Sequence, residues 1–376
     1  MASKKVYTAA VIGCGRIGYS LGLDKKREQP ASHTMALLDN SHVNLIAGCD
    51  VDPVTLNAWH DANKKALIYR NSADLYTRQK LDIIVIAVNE NAHLKETVDA
   101  IVSGPQLVIL EKPVALNMKE ALKIKYEAGR NKVNVLVNHE RRFSDDYIQA
   151  KEYLKEIGDL VSINATLSTS HAVYDPAEES TGGYSLLHDG THLVDIVLFF
   201  LEDEEPSGTD IVPVYQSVKK YNGLLNKAEK ITATTSRVIS SLLHNPVITG
   251  LYTEDNGRIR QLSAHYSTEK CPDVTLNFNG RSSFFGFDIK ITGTKGAVCI
   301  GNGYLKLYKS EKSTLYTGFN SLTDDKSVKV PKKTLYFANM IQNAVDFLDG
   351  EAKIRSTLQN GINALAVIEE IKDKIL

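Results

Sequence analysis

The sequence predicts an α/β protein, with a doubly wound parallel sheet in its first half and a mostly antiparallel sheet in its second half. Two observations support this fold class. Up to Val137, apolar strand-like runs alternate with helix-like segments, as in βαβ units. Beyond residue 138 this alternation stops, and short runs of alternating apolar and polar residues replace it. We therefore predict two domains, residues 1–138 and 139–376.

The composition of the 376 residues narrows the class of protein. Hydrophobic residues make up 43% and charged residues 24%, as in ordinary globular proteins, and the formal net charge is -1. This balance offers no electrostatic attraction for nucleic acid or an anionic membrane. The four cysteines are scattered, so we expect neither a zinc site nor a disulfide framework. No stretch approaches the roughly 18 apolar residues of a membrane span or resembles a signal peptide, and we expect a cytoplasmic protein.

The first strand-like run, Val6 to Ile12, leads directly into a G-x-G-x-x-G motif. Between a strand and a helix, such a motif is typical of a dinucleotide-binding loop. Gly13 permits the tight turn, Gly15 lets the backbone approach a pyrophosphate, and Gly18 permits close packing of a helix whose N-terminus stabilises the phosphate. A glycine turn without a ligand is the alternative. The motif residues that we expect to bind the cofactor are Gly13, Gly15, Arg16, Ile17 and Gly18.

An acidic residue follows the second predicted strand, Val43 to Cys49. Asp50 can accept hydrogen bonds from both hydroxyls of an adenosine ribose and would repel a 2′-phosphate, so the sequence favours NAD over NADP. Asp50 lies further from the glycines than the usual spacing of about 20 residues. An insertion, Leu21 to Ser32, accounts for the difference. We interpret it as a solvated surface excursion, although its basic residues could instead bind the phosphate of NADP.

The run Leu81 to Val88 is apolar enough for a strand that is buried on both faces. Asn89 and His93 follow its carboxyl end, and we expect both to bind the cofactor. The remaining elements predicted in this half are a helix from Leu94 to Ser103, a helix from Lys119 to Gly129 and a strand from Val133 to Val137.

The apolar run that begins at Leu107 stops abruptly at Glu111-Lys112-Pro113, because a proline cannot donate to a strand ladder. In open parallel sheets, ligands bind just outside the carboxyl ends of the strands. Lys112 is therefore placed to touch a bound substrate. The alternative is a solvated loop lysine, as most lysines are.

Short alternating runs in the second half predict strands of a mostly antiparallel sheet. These strands are Leu160 to Leu167, Asp273 to Phe278, Phe287 to Thr292 and Ala297 to Ile300. Two helices stand out: Leu186 to Leu201, and a terminal region from Phe337 to Leu376 that is interrupted near Gly350. The acidic stretch Glu202 to Gly208 and the polar stretch Ser310 to Pro331 are predicted to be loops.

The first of these helices carries a polar stripe on an apolar background. His188, His192 and Asp195 share one face at helical spacing. His192 is suited to moving a hydroxyl proton, and Asp195 or Asp189 can hold its tautomer. Three other interpretations stay open: the stripe is solvated, a histidine belongs to the core, or His188 and His192 bind a metal. Gly190 inside the motif argues against a metal, and we expect none.

Six short motifs follow one another in a fixed order along essentially the whole chain. The order is Gly13-x-Gly15-x-x-Gly18, Glu111-Lys112-Pro113, Arg141-Arg142-Phe143, Gly182-Gly183, His192-x-x-Asp195 and Gly293-Thr-Lys-Gly296. The set resembles the glucose-fructose oxidoreductase, inositol dehydrogenase and MocA family. This resemblance implies an N-terminal Rossmann domain and a C-terminal α/β domain on a large open sheet, which forms homodimers or homotetramers. It also implies a dehydrogenase or reductase that uses NAD or NADP and acts on sugars, cyclitols or nucleotide-linked sugars.

The resemblance assigns roles to individual residues. It makes Lys112 the lysine beside the nicotinamide and the reacting oxygen, with Glu111 in the cofactor site, and it makes His192 the acid–base histidine. Many members have an aspartate four residues before this histidine. Here that position is His188 and the aspartate is Asp189, so either residue could take over a catalytic role.

The predicted mechanism is reversible hydride transfer between NAD and a secondary carbinol of a sugar-like substrate. Protonated Lys112 stabilises the negative charge that grows on oxygen, and His192 takes the proton. Arg141, Tyr184 and Asp189 are the expected substrate contacts, and a structural salt bridge is the alternative for Arg141. Two other functions stay open: a dinucleotide-binding sensor or scaffold without catalysis, and a reductase of a non-sugar carbonyl.

Overall fold

The computed structural model describes residues 5–203 and 243–376. Their packing forms two compact units. The first unit comprises residues 5–144 and 335–362, and the second comprises residues 145–203, 243–334 and 363–376. From position 204 on, the predicted loop Glu202 to Gly208 lies outside the described residues. The domain boundary after residue 138 stays a prediction.

The first unit is built on a six-stranded parallel sheet. Its strands are β1 (Tyr7–Ile12), β2 (Val43–Cys49), β3 (Leu67–Tyr69), β4 (Ile83–Ile86), β5 (Leu107–Leu110) and β6 (Asn134–Val137). Their order is β3-β2-β1-β4-β5-β6, and every neighbouring pair is parallel. All residues of β4 and β5 are buried, as the continuous apolar runs predict. The doubly wound arrangement is therefore confirmed, and its strand order reverses between β1 and β4.

Five α-helices connect these strands: α1 (His33–Asp39), α2 (Pro53–Ala62), α3 (Ser72–Arg78), α4 (His93–Val102) and α5 (Met118–Asn131). Polar side chains start four of them, since Ser32, Asp52, Asn71 and Asn117 each accept a hydrogen bond from a backbone N–H of the first turn. Short 3-10 helices, here and in the second unit, span Ser20–Leu23, Glu90–Ala92, Glu140–Phe143 and Pro176–Glu178.

The second unit is built on an eight-stranded sheet. Its strands are β7 (Leu160–Ser168), β8 (Val247–Thr253), β9 (Ile259–Tyr266), β10 (Asp273–Asn279), β11 (Gly286–Gly293), β12 (Gly296–Gly301), β13 (Tyr304–Lys312) and β14 (Asn320–Asp324). The order is β14-β13-β12-β11-β7-β10-β9-β8. Only the pair of β7 and β10 is parallel among the described pairs of this sheet. The mostly antiparallel sheet is therefore confirmed.

The prediction of a loop from Ser310 to Pro331 is wrong. The end of β13 and all of β14 lie within that stretch, and they pair in antiparallel register from Tyr308 with Asp324 to Lys312 with Asn320. β14 is an edge strand whose residues are exposed or half-buried on both faces. Because neither face enters the core, its sequence shows no apolar alternation.

The remaining helices are α6 (Asp145–Tyr153), α7 (Ser185–His188), α8 (Gly190–Leu201), α9 (Tyr336–Leu348) and α10 (Leu358–Ile375). The prediction of one helix from Leu186 to Leu201 is wrong, because Asp189 separates α7 from α8. The interruption predicted near Gly350 is confirmed, and this glycine has φ 77°. None of the helices among the described residues combines the length and apolar character that a membrane crossing requires.

Candidate functional site

The three motif glycines after β1 have different surroundings. Gly13 has φ 94°, a conformation that favours glycine, and a Cβ atom there would lie 2.3 Å from the carbonyl oxygen of Ala87. A Cβ atom on Gly18 would lie 1.9 Å from the carbonyl oxygen of Gly13. Among the described residues, nothing lies within 4 Å of the Cβ position of Gly15. Gly13 and Gly18 therefore shape the turn, and Gly15 leaves the open space that a dinucleotide pyrophosphate needs.

Asp50 holds the glycine loop against the end of β2. Its Oδ2 accepts a hydrogen bond from the backbone N–H of Cys14 at 2.8 Å, and its Oδ1 accepts one from the N–H of Asp52 at 2.9 Å. The N–H of Gly13 donates to the carbonyl oxygen of Cys49 at 2.8 Å. A carboxylate oxygen can accept more than one hydrogen bond, so Asp50 retains acceptor capacity beside the loop. This position fits a ribose-binding acid.

The helix predicted directly after the glycines is divided. The N–H of Tyr19 donates to the carbonyl oxygen of Gly15 at 2.9 Å, which closes a single helical turn, and a 3-10 helix follows at Ser20–Leu23. The regular helix α1 begins only at His33. The insertion Leu21 to Ser32 separates the two pieces, and its Lys25 is exposed, as expected of a surface excursion. A helical turn therefore follows the glycines, but the regular helix begins only after the insertion, and the stabilisation of a cofactor phosphate by a helix N-terminus stays a prediction.

Arg16 and Ile17 lie in this single turn. Arg16 is exposed, and Ile17 is half-buried and packs against the core of the first unit. Their contact with the cofactor stays a prediction.

The Glu111-Lys112-Pro113 turn follows β5. Glu111 is buried, and its Oε1 accepts hydrogen bonds from His33 Nε2 and from Asn138 Nδ2, each at 2.6 Å. Lys112 is half-buried, and the Lys112–Pro113 peptide bond is cis. Burial works to raise the pKa of Glu111, but the hydrogen bond and charge of His33, the charge of Lys112 and the hydrogen bond from Asn138 lower that pKa overall. The turn therefore combines a buried carboxylate with a lysine.

His93 at the start of α4 supports the same turn. Its Nδ1 lies 2.6 Å from the carbonyl oxygen of Pro113, and its Nε2 lies 3.1 Å from that of Val88. Burial lowers the pKa of His93, although the two carbonyl contacts oppose the shift. Both ring nitrogens thus face backbone carbonyls. Asn89 is exposed, and for both residues cofactor binding stays a prediction.

Two arginines follow β6 in the 3-10 helix Glu140–Phe143. Arg141 Nη1 lies 3.2 Å from Glu140 Oε1, with 12% of the arginine side chain and 27% of the glutamate side chain exposed. Arg142 is almost entirely buried, so it belongs to the core. The salt bridge proposed as the alternative for Arg141 is therefore present, and a substrate contact of Arg141 stays a prediction.

The predicted acid–base cluster of the second unit surrounds the break between α7 and α8. His188 ends α7 and is exposed, Asp189 is half-buried, and His192 lies half-buried in the first turn of α8. Asp195 is 1% exposed. The break therefore separates His188 from His192 and Asp195, which lie together in α8, and the three side chains differ in exposure. Within the described ranges, no three His, Cys, Asp or Glu side chains are grouped as metal ligands.

Tyr184 lies just before this break and is buried. Its ring packs edge-on against Tyr174 with 5.2 Å between ring centroids, and Lys372 Nζ lies 5.6 Å from the Tyr184 ring. Lys372 also pairs with Glu179 Oε1 at 2.5 Å. Burial raises the pKa of Tyr184 to about 12, so the phenol stays neutral. A substrate contact of Tyr184 stays a prediction.

Sequence reasoning missed His33, Asn138 and Lys372 as parts of these clusters. His33 and Glu111 are 78 positions apart in the chain, and Lys372 and Glu179 are 193 apart. No local motif connects such pairs. The only available signal was the place of Asn138 directly after a buried strand, where a parallel sheet gathers functional side chains.

Comparisons with known proteins relate the first unit to a family of oxidoreductases. A family model described as "Oxidoreductase family, NAD-binding Rossmann fold" (GFO_IDH_MocA) matches residues 7–139. The rhizopine catabolism protein MocA of Rhizobium meliloti is 23% identical over 203 residues, which are 54% of this chain and 59% of that protein. The inositol 2-dehydrogenase/D-chiro-inositol 3-dehydrogenase of Lactiplantibacillus plantarum is 22% identical over 209 residues, which are 54% of this chain and 55% of that protein. The matches therefore span less than two thirds of either relative.

A solved structure extends the likeness of fold to the second unit. The WlbA dehydrogenase of Bordetella pertussis, in complex with NADH and UDP-GlcNAcA, matches with a TM-score of 0.69 and 14% identity, over 100% of this chain and 97% of that chain. At this identity the match shows the fold alone. Residues 7–139 therefore match the model of the GFO_IDH_MocA oxidoreductase family, whose members have the NAD-binding Rossmann fold.

Proposed function

We propose that this protein is an NAD-dependent dehydrogenase that transfers a hydride between the nicotinamide and a secondary hydroxyl or ketone of a sugar, cyclitol or nucleotide-linked sugar. One observation carries the proposal: the Glu111-Lys112-Pro113 turn lies at the carboxyl end of β5, in the sheet whose β1 ends in the glycine loop. This is the edge at which such sheets bind ligands. The relatives support the substrate class, since one is an inositol dehydrogenase and another was solved with UDP-GlcNAcA.

The first unit would hold the dinucleotide through the backbone at Gly13 and Gly15 and through the carboxylate of Asp50. When bound, the nicotinamide supplies the carbon that accepts or returns the hydride. Asp50 favours NAD, because its charge repels the 2′-phosphate of NADP. Lys112 is the group that stabilises charge: its ammonium offsets the negative charge that develops on the carbinol oxygen as the C–H bond breaks.

The second unit would supply the proton acceptor. In the proposed oxidation, His192 takes the proton of the carbinol O–H group as the carbon–oxygen double bond forms, and it returns this proton in the reverse direction. Asp189, next to the helix break, and Tyr184 would contact substrate hydroxyls. Arg141 would contact an anionic group such as the phosphate of a nucleotide-linked sugar. His188 is the alternative to Asp189 for the catalytic role.

Two measurements test the proposal. Calorimetric titration with NAD, NADH, NADP and NADPH should show tighter binding of NAD(H) than of NADP(H). The enzyme should then oxidise at least one compound from a panel of cyclitols, aldoses and nucleotide-linked sugars.

Lys112→Met should lower kcat by roughly 10²–10³-fold and leave the Kd of NADH within about threefold, because it removes charge stabilisation specific to the transition state.

The exposed Lys64, which pairs with Asp61 in the same unit, provides the control. Lys64→Met should leave both kcat and Kd unchanged. Tight NADH binding without turnover of any compound would favour the sensor or scaffold interpretation. Binding of none of the four dinucleotides would contradict the proposal as a whole.

A further inference from the structure

The Glu111-Lys112-Pro113 turn is held by a buried histidine on each side. On the downstream side, the carbonyl oxygen of Pro113 receives the contact from His93 Nδ1 at 2.6 Å, and the His93 ring is almost fully buried. On the upstream side, the carboxylate of Glu111 receives the contact from His33 Nε2, also at 2.6 Å. The residue between these two anchored neighbours is Lys112.

His33 makes few other polar contacts. Its side chain is fully buried, and its ring packs edge-on against Phe337 with 5.1 Å between centroids and 87° between ring planes. Its backbone N–H donates to the carbonyl oxygen of Ile17 at 3.1 Å, which fixes the start of α1. Among the described residues, Nδ1 has no hydrogen-bond partner. The polar contact of the ring is therefore with Glu111.

The donors to Glu111 determine where its carboxylate lies. The side chains of His33 and Asn138 reach the same oxygen, Oε1, so the loss of either leaves a buried carboxylate with one fewer donor. A buried carboxylate that loses a donor moves toward water or other donors, because an unsatisfied charge is costly. Such a movement would carry Lys112 with it, since the two residues are consecutive.

We propose that His33 is a positioning residue that holds Lys112 in place through the carboxylate of Glu111. The proposal rests on the proposed role of Lys112. It adds a residue 78 positions away in the chain, at the first position of α1. Displacement of a reacting group by about 1 Å costs about 100-fold in rate, whereas ground-state binding changes far less.

The test compares His33→Leu, which removes the donor, with His33→Gln, which keeps an N–H donor in the same direction. Three quantities are measured for each: the Kd of NADH, kcat and KM with the best substrate, and hydrogen–deuterium exchange of residues 107–116 without ligand. His33→Leu should lower kcat by about 10–100-fold, leave Kd and KM within about threefold, and speed exchange in the turn. His33→Gln should restore most of kcat and slow exchange again. His60→Leu, at a half-buried histidine of α2, is the control and should change none of these.

Several outcomes would overturn the proposal. These are an unchanged kcat and exchange rate in His33→Leu, an increase in KM or Kd as large as the decrease in kcat, or no recovery of kcat in His33→Gln. If His33→Leu does not fold, Asn138→Leu removes the other donor to the same oxygen, and unchanged exchange in that variant overturns the proposal. If the wild-type protein turns over no substrate, the proposed function fails, and exchange in the ligand-free variants still decides whether His33 positions the turn.

Discussion

Glu111 is a carboxylate with 6% of its surface exposed, and two side-chain donors and the charge of Lys112 keep it ionised. A carboxyl group whose pKa is lower in the folded than in the unfolded protein stabilises the fold at pH values above the unfolded pKa. This contribution disappears as the pH falls toward the folded pKa. The group that positions Lys112 in our proposal thus also contributes to stability.

This linkage predicts that the free energy of unfolding depends on pH differently in wild type and in Glu111→Gln. At neutral pH the variant should lose about 1–3 kcal/mol of the free energy of unfolding, because a buried donor loses its charged acceptor. As the pH falls below the ordinary glutamate pKa of 4.5, wild type should lose stability faster than the variant, so the two curves converge. Urea denaturation over a series of pH values measures this. Glu351→Gln, at an exposed glutamate, should parallel wild type, and curves for Glu111→Gln that parallel wild type would contradict the prediction.

At the scale of elements, the three glycines of the loop have different roles. Gly18 packs directly on the backbone of Gly13, so the turn cannot accept a side chain there without moving. Gly15 has no such neighbour among the described residues. Stability and ligand binding therefore depend on different glycines of one motif.

Two alanine substitutions separate these roles. Gly18→Ala should lower the free energy of unfolding by about 1–3 kcal/mol, because its Cβ meets a carbonyl oxygen at 1.9 Å. Gly15→Ala should change stability by less than about 0.5 kcal/mol but weaken NADH binding at least about tenfold, since the new methyl group occupies space that the pyrophosphate needs. Thermal denaturation and calorimetric titration measure the two effects. A loss of stability in Gly15→Ala without a loss of affinity would contradict the assignment.

The two helix breaks show a limit of periodicity. The segment from Leu186 to Leu201 is apolar at helical spacing, yet it divides at Asp189. Just beyond the break, a Cβ on Gly190 would lie 3.0 Å from the Phe278 ring of β10, so tertiary packing at this point favours glycine. The helix after the glycine loop divides because an insertion enters it. Neither cause is visible in a helical repeat.

At the scale of the whole molecule, the edge strand β8 exposes apolar side chains in the described structure. Val247 is 64% exposed, Leu251 49% and Tyr252 45%. Phe284 and Phe285, in the connection between β10 and β11, are 65% and 53% exposed. Exposed apolar groups of this kind mark association surfaces. We propose that they contribute to the homodimer or homotetramer that the family resemblance implies.

Sedimentation equilibrium should therefore give a mass of two or four times the 41.5 kDa of one chain. Leu251→Lys should shift the distribution toward one chain, because a charge on the contact surface opposes burial. Val54→Lys, at a position of α2 that is 75% exposed, is the matched control and should leave the mass unchanged. A wild-type mass of one chain at micromolar concentration would contradict the oligomer.

The sequence by itself determined the fold class and the principal candidate residues, because these depend on local patterns. Apolar runs produced the two sheets, the glycine motif marked the end of β1, and the Glu-Lys-Pro motif marked the end of β5. Tertiary structure alone decided the pairing of His33 with Glu111 and of Lys372 with Glu179, the position of β14 and the break at Asp189. The physical reason is that strand order and packing bring together residues that are far apart in the chain, and no local spacing encodes those contacts.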